Sequence, residues 1–227
     1  SLDAWASGLE AAMELGVDHV SAYALTLDDP DEEGLTGPTG DHLPTSAGAR
    51  RWRAAAMEAQ DEDRAAAQYR VTVERLAGAG LRGYEISNWA RPGHESRHNL
   101  AYWHREPYEA AGPGAHAFDG VTRRWNAARL GGYLAALAPA DGGSPSLPPG
   151  GSETVDATGA VAEAVILALR LDEGIACSEA EQGPLAPHLG WAIDAGLLER
   201  DHRPGSDRLR LSTQGRLLSN ELFARLI

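Results

Sequence analysis

From Pro139 to Gly151 the chain reads PADGGSPSLPPGG, with four prolines and four glycines in thirteen residues. Proline lacks a backbone N–H and glycine loses the most freedom on ordering, so neither a helix nor a sheet strand runs through this segment. It reads as a linker that parts the chain into residues 1–138 and 153–227, with 139–152 between them. At 227 residues and 43% hydrophobic composition, the chain holds enough apolar material to bury a core.

The first part alternates helical and extended patterns. Ser1 is suited to cap a helix in which Leu2, Trp5, Leu9 and Met13 recur at helical spacing up to Gly16. Residues 17–27, VDHVSAYALTL, follow at once as a strand, and a helix leading straight into such a run suits an α/β layer with parallel strands. A loop over 28–47 and a polar helical stretch around 50–60 come next. Asp61, Glu62 and Asp63 cap a helix with Tyr69, Val73, Leu76 and Ala77 on one face, ended by Gly78, Gly80 and Gly83. YEISNW (84–89) is a second strand candidate. Residues 94–126 show no sustained period and read as short strands and loops, and 133–137 as a short helix. Beyond the linker the pattern predicts helices over 154–171, 178–189 and 190–195, two strands at 197–200 and 208–211 around a turn at 203–207, and a last helix capped by Thr213. Helices followed by a hairpin and a helix suggest a winged-helix layout.

Composition removes several functions. No lysine occurs, which excludes a Schiff-base lysine and a P-loop lysine. Cys177 is the sole cysteine, so an internal disulfide, a four-thiolate zinc site and a self-contained iron–sulfur cluster are excluded as well. A net charge of −13 opposes a broad basic face for nucleic acid or an anionic membrane. No apolar run approaches the roughly 20 residues of a membrane span, and SLDAW is no signal peptide, so a cytoplasmic location is expected. Lacking an initiator Met and opening on a helix cap, the chain reads as part of a longer polypeptide.

The densest chemistry lies in HESRHNLAYWH, where His94, His98 and His104 fall within eleven positions and His116 follows twelve residues later. Imidazoles at this density admit a metal site completed by Glu95 or Glu106, or histidines that cap loops at a pocket rim; the spacing is diagnostic of neither. A helix carrying His94 and His98 on one face is opposed by Pro92-Gly93 and Arg97. Tyr102-Trp103 offers a flat apolar wall for a planar ring, or two core aromatics. Gly112-Pro113-Gly114 is either a backbone approach to a ligand or a structural turn, and no helix start follows it as a dinucleotide fingerprint needs. Ser21, Ser87 and Ser96 lack a nucleophile elbow. Cys177 reads as a packed thiol rather than a nucleophile.

The ordered series HVSAYALTL (19–27), YEISNWARPG (84–93), HNLAYW (98–103), GPGAHAF (112–118), RRWN (123–126), LALRLDEGI (167–175) and LSTQGRLLSN (211–220) resembles the haem chaperones of the radical SAM superfamily, the relatives of oxygen-independent coproporphyrinogen III dehydrogenase. The resemblance implies an α/β fold: the C-terminal part of a partial (β/α) barrel over 1–138, then a small winged-helix-like α+β domain over 153–227. It also implies a [4Fe–4S] cluster and S-adenosylmethionine in the complete protein, with haem as cargo for apoprotein acceptors. The Cys-x-x-x-Cys-x-x-Cys segment that holds the family's cluster is absent here, so the chain alone is expected to be inactive as a radical enzyme.

By position in the family's motifs, Ala24 and Ile86 are expected beside S-adenosylmethionine. His98, Asn99, Tyr102 and Trp103 match the haem-related motif, with His98 as the candidate iron ligand. Pro113 stands in a stretch that is glycine-rich in relatives, which puts a backbone N–H contact there in question. Two other readings are set beside this one. The dehydrogenase itself is opposed by HNLAYW, and a winged-helix DNA binder by the 12 acidic residues against 7 arginines in 153–227, a net of −5. The partners the resemblance implies are haem and haem-accepting apoproteins, and it is compatible with a homodimer.

Overall fold

The computed structural model describes residues 1–24, 46–138, 142–147, 150–201, 203 and 205–227. In chain order the elements are α1 (Leu2–Glu14), β1 (His19–Ser21), α2 (Ala47–Glu58), α3 (Glu62–Gly78), β2 (Arg82–Gly83), β3 (Asn88–Ala90), α4 (Arg97–Trp103), β4 (His116–Phe118), β5 (Thr122–Trp125) and α5 (Leu130–Leu137). Then follow β6 (Gly151–Thr154), α6 (Ala157–Arg170), β7 (Ile175–Ala176), α7 (Cys177–Gln182), α8 (Ala186–Asp194), β8 (Leu198–Arg200), β9 (Arg208–Leu211), α9 (Thr213–Leu217) and α10 (Ser219–Phe223). The content is mixed α/β. Two compact units result, one of residues 1–24, 62–105 and 157–227, the other of 25–61 and 106–156.

In the first unit, the Ser1 hydroxyl accepts the Ala4 N–H and starts α1 as expected. This helix lies on α3, where the Trp5 indole donates to the Thr72 hydroxyl at 2.9 Å. Leu76, Leu81 and Trp89 form a core with Met13, Val20 and Val73 against it. Each such fully buried large apolar side chain contributes roughly 1.5–3 kcal/mol.

The expected parallel layer is not what forms. β1 and β2 both pair antiparallel with β3, in the order β1-β3-β2. The reason is local: residues 84–87 are not strand but the connection between β2 and β3, and a link that short joins only antiparallel neighbours. The YEISNW strand is therefore reduced to Asn88–Ala90. The 28–47 loop and the end of the first strand, 25–27, fall almost wholly outside the described residues.

The C-terminal elements of this unit build the antiparallel sheet β7-β9-β8, with Val165, Leu169, Leu189 and Leu222 packed around Leu209 and Leu211. The hairpin of β8 and β9 forms where expected, and β7 adds a third strand after Gly174. That glycine has φ +63°, and a Cβ there would lie 1.9 Å from the Leu209 carbonyl oxygen, so only glycine allows β7 to reach β9. Helix boundaries differ from the pattern. α7 ends at Gln182 before Gly183, and α8 spans Ala186–Asp194 across the expected break at 190. Ser212, not Thr213, caps the last helical stretch, which breaks at Leu218 into α9 and α10.

In the second unit, β4, β5 and β6 form a sheet in sequence order. β6 begins at Gly151, the last residue of the Pro/Gly-rich run. Asn126 is buried beside it, and its Nδ2 donates to the Gly112 carbonyl at 2.9 Å. Gly112 and Gly114 have φ of +103° and +65°, and their N–H groups go to the Tyr133 hydroxyl and the Ala127 carbonyl. This is the structural turn of the two readings.

Candidate functional site

Residues 97–103, which the pattern left without a helix, form α4. Pro92 and Gly93 end before it, and the start is made by Ser96, whose hydroxyl accepts the Asn99 N–H at 3.3 Å. Two turns of helix are marginal in isolation, so tertiary contacts must hold this one. At its C-terminal end His104 caps the Leu100 carbonyl and Arg105 takes φ +54°, a left-handed conformation uncommon outside glycine.

The helix sorts its motif residues by face. His98 and Tyr102 are one turn apart and exposed, their rings meeting edge to face at 4.8 Å between centroids. Among the described residues neither imidazole nitrogen of His98 has a hydrogen-bond partner, and the side chain is exposed. Asn99 and Trp103 lie on the half-buried side. Tyr102 and Trp103 make neither one flat wall nor a pair of core aromatics, because neighbours on a helix point about 100° apart and Tyr102 is exposed.

Asn99 Nδ2 donates to the Tyr84 hydroxyl at 3.4 Å, and that hydroxyl lies 3.0 Å from His19 Nε2. Burial raises the Tyr84 pKa above the ordinary tyrosine value, against hydrogen bonds with Asn99 and Ser96 that lower it. Tyr84 thus stays a protonated hydroxyl joining α4 to β1.

Next to it, Glu85 is fully buried. Its carboxylate accepts the Ser87 N–H at 2.7 Å and the Asn88 side-chain amide, while Arg170 Nη2 of α6 lies 3.3 Å from its other oxygen. A buried carboxylate persists only when paired and hydrogen-bonded, and this one has both. Asn88 completes the turn by accepting from the Ser21 hydroxyl. The same Arg170 guanidinium lies over the Trp103 ring, 4.3 Å from its centroid. The two most specific motifs of the sequence are therefore joined twice, through Tyr84 to Asn99 and through Glu85 and Arg170 to Trp103. Sequence reasoning missed Glu85 and Arg170, which carry no local signal of their pairing across 85 residues.

The remaining candidates disperse. Ile86 is buried among Val165, Leu169 and their neighbours, and the Tyr69 hydroxyl donates to its carbonyl at 2.9 Å. Ala24 is exposed at the edge of the described residues. His94 lies 3.6 Å from Asp18 at the surface, His104 caps α4, and His116 stacks on Trp125 in the second unit. Among the described residues no three His, Cys, Asp or Glu side chains gather as metal ligands. No described helix is long and apolar enough to cross a membrane. Cys177 is buried with Arg200 Nη1 3.0 Å from its sulfur; burial and the neighbouring Asp207 raise its pKa, which disfavours the reactive thiolate.

No family model matches the chain. It is 39% identical over 220 residues to a Mycobacterium tuberculosis protein named heme chaperone HemW, covering 96% of this chain and 50% of that protein. Identity to the heme chaperone HemW of Bacillus subtilis is 26% over 227 residues, 96% of this chain and 53% of the relative. The mitochondrial radical S-adenosyl methionine domain-containing protein 1 of Bos taurus is 37% identical over 112 residues, 49% of this chain and 22% of its own. Among solved structures, coproporphyrinogen III oxidase (HemN) from Escherichia coli, a radical SAM enzyme, aligns at a TM-score of 0.49 and 16% identity over 68% of this chain and 39% of its own. The chain spans about half the length of the haem chaperones it matches. Along nearly its whole length the chain is thus a homologue of proteins named heme chaperone HemW.

Proposed function

We propose that this chain forms the C-terminal part of a cytoplasmic haem chaperone that binds haem and delivers it to apoproteins. The observation that carries this reading is α4, which exposes the His98 and Tyr102 rings on one face while Asn99 and Trp103 fasten its other side. His98 would supply an imidazole nitrogen to the haem iron, and the Tyr102 ring an apolar face to the macrocycle.

The cluster and S-adenosylmethionine belong to the complete protein. The one thiol of this chain is buried against Arg200 and does not suit a [4Fe–4S] cluster. By the resemblance, Ala24 and Ile86 stand beside S-adenosylmethionine; Ala24 is exposed, whereas Ile86 packs in the core. Residues 1–138 take the place of the last part of the barrel, joined through 139–152 to a winged-helix-like domain over 153–227. The sheet β7-β9-β8 with its flanking helices supports that last assignment, and its acidic balance favours packing against protein over binding DNA.

The test is haem transfer. The purified complete protein, loaded with haem, should pass it to an apo-haemoprotein, and the 227 residues alone should take up no stable [4Fe–4S] cluster on anaerobic reconstitution. Failure of transfer, or a cluster spectrum with S-adenosylmethionine cleavage from these residues alone, overturns the reading.

A further inference from the structure

Helix α6 carries two charged residues seven positions apart, Glu163 and Arg170, both directed at α4. Arg170 covers the Trp103 ring at 4.3 Å and holds Glu85, while Glu163 Oε2 lies 2.8 Å from Arg105 Nη2 and accepts from Arg105 Nε at 3.0 Å. Seven residues are two turns, so both side chains stand on one face of α6. Their targets are the last residue of α4 and the left-handed residue just beyond it. The Arg105–Glu163 pair is about one-fifth exposed on each side, so water screens it less than a surface pair.

We infer that Glu163 and Arg170 are positioning residues for haem binding, a clamp by which the C-terminal segment sets the orientation of α4 and hence of the His98 imidazole. The inference rests on the haem reading given above. A helix of seven residues samples many orientations when only its N-terminal cap and Asn99 are fixed, and each misdirected population lowers the apparent affinity in proportion. A clamp at the opposite end removes that loss.

The experiment uses the complete protein with haem as the probe and reads two quantities: haem affinity from the Soret band, and hydrogen exchange of the amides of residues 97–103. Arg225→Gln, which removes a guanidinium 4.0 Å over the Trp191 ring elsewhere in the unit, is the matched control. Arg170→Gln and Glu163→Gln should each speed exchange in α4 and weaken haem binding about fivefold relative to that control, with Arg170→Lys recovering part of the loss. Glu163→Gln leaves the buried Glu85 paired, so it reports on the clamp should Arg170→Gln fail to fold. Unchanged exchange in both variants overturns the clamp. Faster exchange with unchanged affinity overturns its role in positioning. A wild-type Soret band that is indifferent to His98→Ala overturns the haem reading itself, a failure that the exchange data distinguish from failure of the clamp.

Discussion

The side-chain amide of Asn99 donates to the hydroxyl of Tyr84 across fifteen residues of sequence, joining α4 to the turn before β3. That hydroxyl also meets His19 Nε2, so one oxygen links three segments of the chain. Tyr84→Phe keeps the ring and removes the link. A loss of about 1 kcal/mol in urea unfolding is expected, the usual net worth of such bonds. A variant as stable as wild type would show that the hydroxyl bonds equally well to water.

Glu85→Ala is expected to be far more damaging. It leaves the Ser87 N–H, the Asn88 amide and Arg170 without their shared acceptor, and the cost of breaking a buried pair is about 3 kcal/mol. Chemical denaturation measures it, and a loss below that of Tyr84→Phe would contradict the central place of Glu85 in the turn.

How far these contacts were legible varies with how local their cause is. The cap of α1 and the hairpin β8–β9 follow from nearby residues, Ser1 for one and the turn at 203–207 for the other, and both form as read. α4 was missed because Arg97 and the preceding Pro92-Gly93 obscure its start; the legible signal was Ser96 three residues before Asn99. YEIS read as strand from its side chains, yet Glu85 turns inward to meet Arg170, and a pairing across 85 residues leaves no periodicity to find. Within the candidate site, the motif named His98, Asn99, Tyr102 and Trp103, whereas the residues that hold them had to come from the fold.

Asp201 makes acid stability testable. The neighbouring Ser206 hydroxyl, with the backbone N–H and guanidinium of Arg203, lowers its pKa from 3.8 to about 2. A carboxyl lowered on folding contributes stability that is present above pH 3.8 and lost as pH falls through about 2. Unfolding midpoints measured across that window should fall more steeply for wild type than for Asp201→Asn. Parallel curves would contradict the assignment.

Cys177 should resist modification. With its thiol buried and its pKa raised, an aromatic disulfide reagent at about pH 8 is expected to label the native protein far more slowly than the urea-unfolded chain. Equal rates would place the sulfur at the surface.

The most direct test of the account is the Soret band of the complete protein titrated with haem, compared between wild type and His98→Ala. An imidazole-ligated spectrum in wild type that is lost or displaced in the variant, with unfolding curves unchanged, is the result expected if His98 binds the iron. The same spectrum and affinity in both proteins would contradict it.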